Sequence, residues 1–580
     1  MKTKLIAIFT CSISVLVFAN STNIKPKIVA HSVISFTDLA KKASKKKTSG
    51  ITNIQHRVVP IMKYQGQQIP PEDLEKIKQN KQFNKTVPEK KSSALPEVIS
   101  STSSTSTSGD KISPGPAGPA LGPVDAQNDF LAMPDGPDIY GYMHIPPDTM
   151  GTAGQNHLMV VLNSHVRIQN KSGGVIGTVT LNDFWASVNG GGGATAGTFD
   201  PKIVYDHDDD RFIFVAIDDR DANNGYLLGV SASDDPTGTW YLWKIDADAS
   251  NTDWADFPSP GFNSKWIALS ANMFTISGNS FTETKMWIVD KDRAYTNDLN
   301  IIDVFDNSDF SGGFTIAPCK TFGSEPNLYT IDSGWYSGSD DLVRNGRIAG
   351  TVNSPVWSTL GYVDVPDSDT PGDAPQLGGS ALIDNGDSRI GSPPVFRHGN
   401  IYFNYTGQFY SPTRHIIVWG EYNASSGAAV NMGIVQEATT PMYYAYPSIA
   451  VNSHTSIVMG FSGFSTGIYA SAYYTGREFT NAANVMQGVK LLKAGEDYYF
   501  KDFGSGRNRW GDYSATCVDP ANDIKFWTIQ EYAMPDVGSG ANDDRWGTWW
   551  GEIYFIPEPV FIYYLSFIIY YLINRRKFNS

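Results

Sequence analysis

The residues with the most chemical potential in this chain are oxygen-rich turns. Asp246-Ala247-Asp248-Ala249-Ser250-Asn251-Thr252-Asp253 places oxygen ligands at alternating positions, as a loop must to wrap a hard cation such as Ca²⁺. Asp246, Asp248, Ser250 and Asp253 are therefore the candidate metal ligands, calcium is the cofactor the pattern would take, and Asp256 could complete the set. Asp206, Asp208 and Asp210 repeat the alternation. Both stretches lack the central Gly and the terminal bidentate Glu of an EF-type loop, so a solvated turn is the competing reading. No paired-His metalloprotease helix, Gly-x-Ser-x-Gly elbow or phosphate-binding loop occurs, and the His residues form no ligand spacing. Gly190 to Gly193 neither follows a clear strand nor opens a helix, and reads as a loop. No catalytic residue is assigned on this basis.

These turns connect short apolar runs with hardly any helical periodicity, so the elements that hold them are strands and the body is all-β. One unit recurs: a Pro at the mouth of an apolar run, a turn, then a second run. Asp200-Pro201 through Asp206 turns into Arg211 to Val215; further units start at Ser259-Pro260, Ala317-Pro318, Ser392-Pro393 and Tyr446-Pro447, with a degenerate copy at Tyr513. A first copy without Pro runs from His157 to Leu162. A single core stops growing at roughly 250–300 residues, and starts spaced by about the length of a four-stranded blade favour a β-propeller. The count gives about seven blades, with six or eight as alternatives, and a pair of β-sandwiches is the runner-up fold. Closure of the ring needs a last strand paired near the start. Trp546 to Phe555 suits that role, with Leu158 to Leu162 the expected partner and Ile139 to Tyr142 a weaker one.

Charge divides the chain. From Asn20 to Glu97 there are 15 Lys and Arg against 6 Asp and Glu, whereas the whole chain has 45 against 59 and a net charge of −14. That early segment lacks the apolar content to offset ordering entropy, and Ser100 to Pro123 is a Ser/Thr then Pro/Gly spacer; residues 20–124 are expected to be a disordered linker before a body at 125–555. An acidic body excludes nucleic acid as a partner. Lys2 and Lys4 precede an apolar stretch from Leu5 to Phe18, and Val17-Phe18-Ala19 offers a signal-peptidase site, so residues 1–19 read as a signal peptide. Cys319 and Cys517 alone remain after its removal, read as two buried thiols or a single bridge.

At the other end Pro557-Glu558-Pro559, which cannot sit inside a helix or central strand, precedes an apolar run and then Arg575-Arg576-Lys577. This order resembles the PEP-CTERM signal of exosortase substrates. The resemblance implies that residues 556–580 are a sorting tail with a membrane segment, that Pro557, Glu558, Pro559, Arg575, Arg576 and Lys577 carry the sorting information, and that an exosortase is a partner alongside signal peptidase. An uncleaved anchor is the plainer alternative.

The body has a resemblance of its own. Pro146-Pro147-Asp148-Thr149-Met150-Gly151, Phe199-Asp200-Pro201, Asp387-Ser388-Arg389, Tyr446-Pro447-Ser448, Trp510-Gly511-Asp512-Tyr513 and Trp546-Gly547-Thr548-Trp549 resemble a group of exported bacterial β-propeller proteins of largely undefined activity. Ser233-Asp234-Asp235-Pro236-Thr237-Gly238-Thr239-Trp240 resembles the Asp-box of sialidase-like propellers with its Gly displaced by one, a structural turn in that family. A sialidase would also need an arginine cluster, and Arg211, Arg220, Arg389 and Arg414 mostly follow turns. The expected function is a surface or matrix binding module for extracellular polysaccharide or protein, with a sialidase-like hydrolase or a structural surface protein as alternatives.

Overall fold

The computed structural model describes residues 26–46, 54–59, 62, 67–68, 125–191, 197–337, 340–410, 412–437, 441–538 and 543–555. Short apolar runs separated by Asp, Asn and Gly turns form antiparallel meanders, and these group into seven four-stranded blades. The first blade is Met150–Ala153, His157–Val161, His165–Asn170 and Val175–Thr180. The second runs from Thr198–Asp206 to Thr239–Asp246, the third from Asp253–Phe262 to Ile301–Phe305, and the fourth from Ala317–Pro318 to Ser354–Asp364. The fifth runs from Val395–Arg397 to Ala429–Val435 and the sixth from Tyr443–Val451 to Lys490–Lys493. The seventh combines Ala515–Val518, Phe526–Met534 and Arg545–Ile553 with Asn128–Pro134 from the start of the body.

The first strand of each blade packs against the first strands of its neighbours, and the seventh returns to the first, so the chain is a closed β-propeller and not a pair of sandwiches. Residue-long parallel bridges at Phe262, Lys320 and Val395, and at His415 and Tyr443, stitch blades together near the axis. Bulky residues fill the wedges between twisted sheets. Eleven of the 14 Trp are among the most deeply buried side chains and none of the others is exposed, so indole rings here pack blades and do not form a sugar platform.

Three expectations need correction. The closing partner of Arg545–Ile553 is Asn128–Pro134, in register from Gly547 opposite Pro134 to Glu552 opposite Asn128; neither Leu158 to Leu162 nor Ile139 to Tyr142 takes that place. His157 to Leu162 starts on the second strand of its blade, because the shorter Met150–Ala153 lies inside it. Finally, part of the expected linker is ordered. Ile28–Ser35 adds a fifth strand to the outer edge of the second blade, opposite Thr239–Asp246. Helix Phe36–Lys45 follows, capped by the Ser35 hydroxyl, and buries Phe36 against Gly177 of the first blade. Gln55–Val58 then pairs in parallel with Tyr142–Ile145, and Gln67–Gln68 pairs with Trp335 and Tyr336 of the fourth blade. Low apolar content sufficed because these segments borrow edges and clefts of the body.

Candidate functional site

Because all seven first strands run the same way around the ring, their starting residues gather at one mouth of the channel. At that point the backbone repeats a distinctive turn: Asp148, Asp200, Phe257, Thr315 and Tyr446 all have φ of 52–55°. Non-glycine residues rarely sit there, and a following Pro, present after Asp200, Phe257 and Tyr446, makes that turn less favourable still. Register shifts follow at Phe199/Lys202, Asp256/Ser259 and Ala445/Ser448, so a bulge at the start of the strand re-aims the side chain inward.

Carboxylates stand at two of these turns, Asp148 and Asp200, and a third, Asp512, lies near the start of the neighbouring seventh blade. Asp512 precedes the seventh blade, Asp148 the first and Asp200 opens the second; oxygens of all three lie within 4.8 Å of one another. Each spends one oxygen on a protein donor. Asn163 Nδ2 donates to Asp148 Oδ2 at 2.6 Å, the Phe257 amide to Asp200 Oδ2 at 3.1 Å, and Arg509 Nη2 to Asp512 Oδ1 at 2.7 Å. The second oxygen of each is buried without a donor. Asp256, one residue before the equivalent position in the third blade, is 1% exposed and neither of its oxygens has a donor.

Cations surround the group. Lys202 Nζ donates to the Gly391 carbonyl at 2.8 Å and lies 3.8 Å and 4.4 Å from the ring centres of Phe257 and Tyr513. Arg389 is held by both oxygens of Asp387, at 2.6–3.0 Å, and Asp384 is paired with Arg507. Burial, reinforced by Asp512, pushes Asp200 up to about 6, while burial and neighbouring carboxylates hold Asp148 and Asp256 well above the carboxylate range. Burial pushes Lys202 down to about 7 against the pull of Asp200.

The N-terminal segment lies over this mouth. After leaving Gln55–Val58, Val59 is buried and its carbonyl accepts from Arg509 Nη1 at 3.1 Å; the Met62 carbonyl accepts from Arg389 Nη2 at 2.5 Å. Gln67–Gln68 pairs with the fourth blade. The cavity lined by Asp387, Arg389, Tyr446 and Asp512 measures about 10 Å³, and another, lined by Tyr205, Lys320 and Cys517, about 20 Å³. Roughly 10–15 Å³ of such space admits one water, so neither admits a sugar ring.

The turn singled out by its alternating oxygens is organised differently. Asp248 accepts from the Ser250 hydroxyl at 2.7 Å and from the Thr252 and Asp253 amides at 2.9 and 3.1 Å, with Lys285 at 3.9 Å. Burial opposes its charge, but the Ser250, Thr252 and Asp253 bonds prevail and hold it at about 2. Asp253 instead accepts from Thr282 at 2.7 Å, and Asp256 belongs to the axis. Asp206 is tied to Lys291 and Tyr295, Asp208 to the Gly323 amide and Asp210 to Tyr205, so those three diverge. In the Asp-box-like turn Asp235 accepts from the Thr237 amide at 2.9 Å and Trp240 is fully buried. Of the four arginines, Arg389 alone is axial; Arg211, Arg220 and Arg414 lie beside Tyr295, Trp254 and Phe409. Cys319 and Cys517 are separate buried thiols. The leader, Pro557, Glu558, Pro559, Arg575, Arg576 and Lys577 lie outside the described residues, among which no helix is long and apolar enough to cross a membrane.

The strand order and axial geometry together define a seven-bladed β-propeller. No protein-family model matches the chain, and no curated protein matches it. Among solved structures it is similar to a protein of unknown function from Dyadobacter fermentans (11% identity, TM-score 0.27, covering 52% of this chain and 95% of that one). It is also similar to Trypanosoma rangeli sialidase (12%, 0.33, covering 67% and 58%) and to the GH93 α-L-arabinofuranosidase of Fusarium graminearum (9%, 0.34, covering 60% and 92%). Likeness at this level carries nothing about activity.

Proposed function

We propose that this protein is an exported, non-hydrolytic propeller that acts at the cell surface or in the matrix as a binding module for extracellular polysaccharide or protein, after sorting through its Pro-Glu-Pro tail. One observation favours binding over hydrolysis: the carboxylates that could serve as acid and base are buried beside a cavity of about 10 Å³, and the neighbouring Arg509 and Arg389 are tied to the Val59 and Met62 carbonyls. Glycosidases of the usual plan hold their two carboxyl groups roughly 5–10 Å apart across a groove open to the sugar. Here oxygens of Asp148, Asp200 and Asp512 crowd within 4.8 Å of one another.

A second reading has its own support. Arg389, Arg509, Tyr446 and Tyr513 gather with the acids at the same mouth, a set that could grip and cleave an acidic sugar. Both readings meet one experiment. Protein recovered from the cell exterior is weighed by mass spectrometry and incubated with sialylated and arabinan glycans, both free and arrayed. The proposal expects a mass ending at or near Pro559, retention on a subset of arrayed glycans or matrix proteins, and no released sugar. Sugar release that Asp148→Asn and Asp512→Asn abolish would establish the hydrolase instead, and an intact tail in the membrane fraction would contradict the sorting step.

A further inference from the structure

We propose that the mouth of the propeller axis holds one divalent cation, Ca²⁺ by the chemistry of its donors, bound between Asp148, Asp200 and Asp512 with Asp256 beside them. The first support is geometric. Any three points within 4.8 Å of one another share a centre within about 2.8 Å of each, so a small inward adjustment reaches the 2.3–2.6 Å that Ca²⁺ takes from oxygen. All donors are carboxylate oxygens, which suit a hard cation and not a thiolate- or imidazole-seeking metal.

The second support is independent of that cluster's spacing. Asp256 is 1% exposed with both oxygens lacking a donor, and Asp148 Oδ1, Asp200 Oδ1 and Asp512 Oδ2 are buried in the same condition. A buried acceptor without a donor is costly, and more so if charged, so four residues in this state mark a missing positive partner. Charge indicates how much is missing. With every group ionised, Asp148, Asp200, Asp256, Asp384, Asp387 and Asp512 bring six negative charges against the four positive charges of Lys202, Arg389, Arg507 and Arg509, an excess of two. One divalent ion balances it. The ion would tie together the seventh, first and second blades, which makes it a fastener of the closed propeller.

The competing resolution is two shared protons, and the two differ in what they bind. The full chain is stripped with EDTA at pH 7.5, then analysed for metal content and thermal unfolding with CaCl₂ or MgCl₂ added back. The proposal expects one calcium per chain and a rise in Tm of about 3 °C or more at saturating Ca²⁺. Asp148→Asn and Asp200→Asn should lose both the bound calcium and the rise, while unfolding in EDTA no earlier than the stripped parent, which shows that they fold. Asp248→Asn, in the exposed turn, should keep the axial ion. Absence of stoichiometric calcium with an unchanged Tm would overturn the proposal in favour of shared protons. Calcium lost from Asp248→Asn but kept by the two axial variants would overturn it in favour of the turn.

Discussion

Asp148, Asp200, Asp256 and Asp512 set how this protein responds to pH. Without a cation, the folded chain keeps protons that the unfolded chain releases: Asp200 moves from 3.8 to about 6, with Asp148 and Asp256 raised further. A folded state that binds more protons loses stability as pH rises, so the stripped protein should weaken steadily from pH 4 to beyond pH 6. Asp218, raised to about 6 by burial against the pull of Lys244, adds to the same trend. Lys202, lowered to about 7 by burial with Arg389 nearby, works in the opposite direction above neutrality. Urea midpoints in EDTA at pH 4, 5, 6 and 7 should therefore fall across the series, and Asp200→Asn should flatten it. A midpoint that climbs over this range would contradict these raised values. The four acids were only partly visible in the sequence. Asp148, Asp200 and Asp512 were noticed within motifs, but as members of a resemblance and without a role. The usable signal is their place near the start of the first strand of three consecutive blades, and it emerges only once the blade starts are placed. The alternating Asp246–Asp253 turn drew attention instead because its spacing is local.

Among elements, the N-terminal segment departs most from expectation. Its composition resembles that of an unstructured chain, yet Ile28–Ser35 pairs along the second blade and hands over to a helix whose Phe36 and Thr37 amides donate to the Gly238 and Thr237 carbonyls at 3.0 Å. Composition weighs only what a segment can bury by itself; it is silent about a cleft elsewhere that accepts one Phe ring. Phe36 is 1% exposed, and its loss should cost the segment roughly 3–5 kcal/mol of docking. Phe36→Ala should therefore bring rapid cleavage within residues 26–46 under limited proteolysis while the remaining body stays resistant. Unchanged resistance at both places would show that strand pairing alone holds the segment. The repeated Pro, by contrast, is informative at Pro201 and Pro447, which fall in bulges where a missing amide interrupts no ladder bond, whereas Pro260 and Pro318 sit in register opposite Leu269 and Thr330.

For the whole molecule, the ring and its seven sheets were legible because each blade is a local meander whose hairpins lie close in sequence. Closure was not, because Asn128–Pro134 and Arg545–Ile553 are at opposite ends of the body and many short apolar runs compete for one edge. Burial completes the picture: Trp550 and Trp527 of the last blade pack at 6.2 Å, and Thr548 exchanges hydrogen bonds with Met133 across the seam. The propeller stands or falls on that seam, which joins the outer strands of the seventh blade. Hydrogen exchange of the full chain, followed by mass spectrometry of peptides spanning 128–134 and 545–553, tests it directly. A closed ring predicts that both peptides are strongly protected and gain deuterium together, in one cooperative opening. Rapid exchange of 128–134 beside a protected 545–553 would mean that the ring is open and that another strand, or none, covers its final edge.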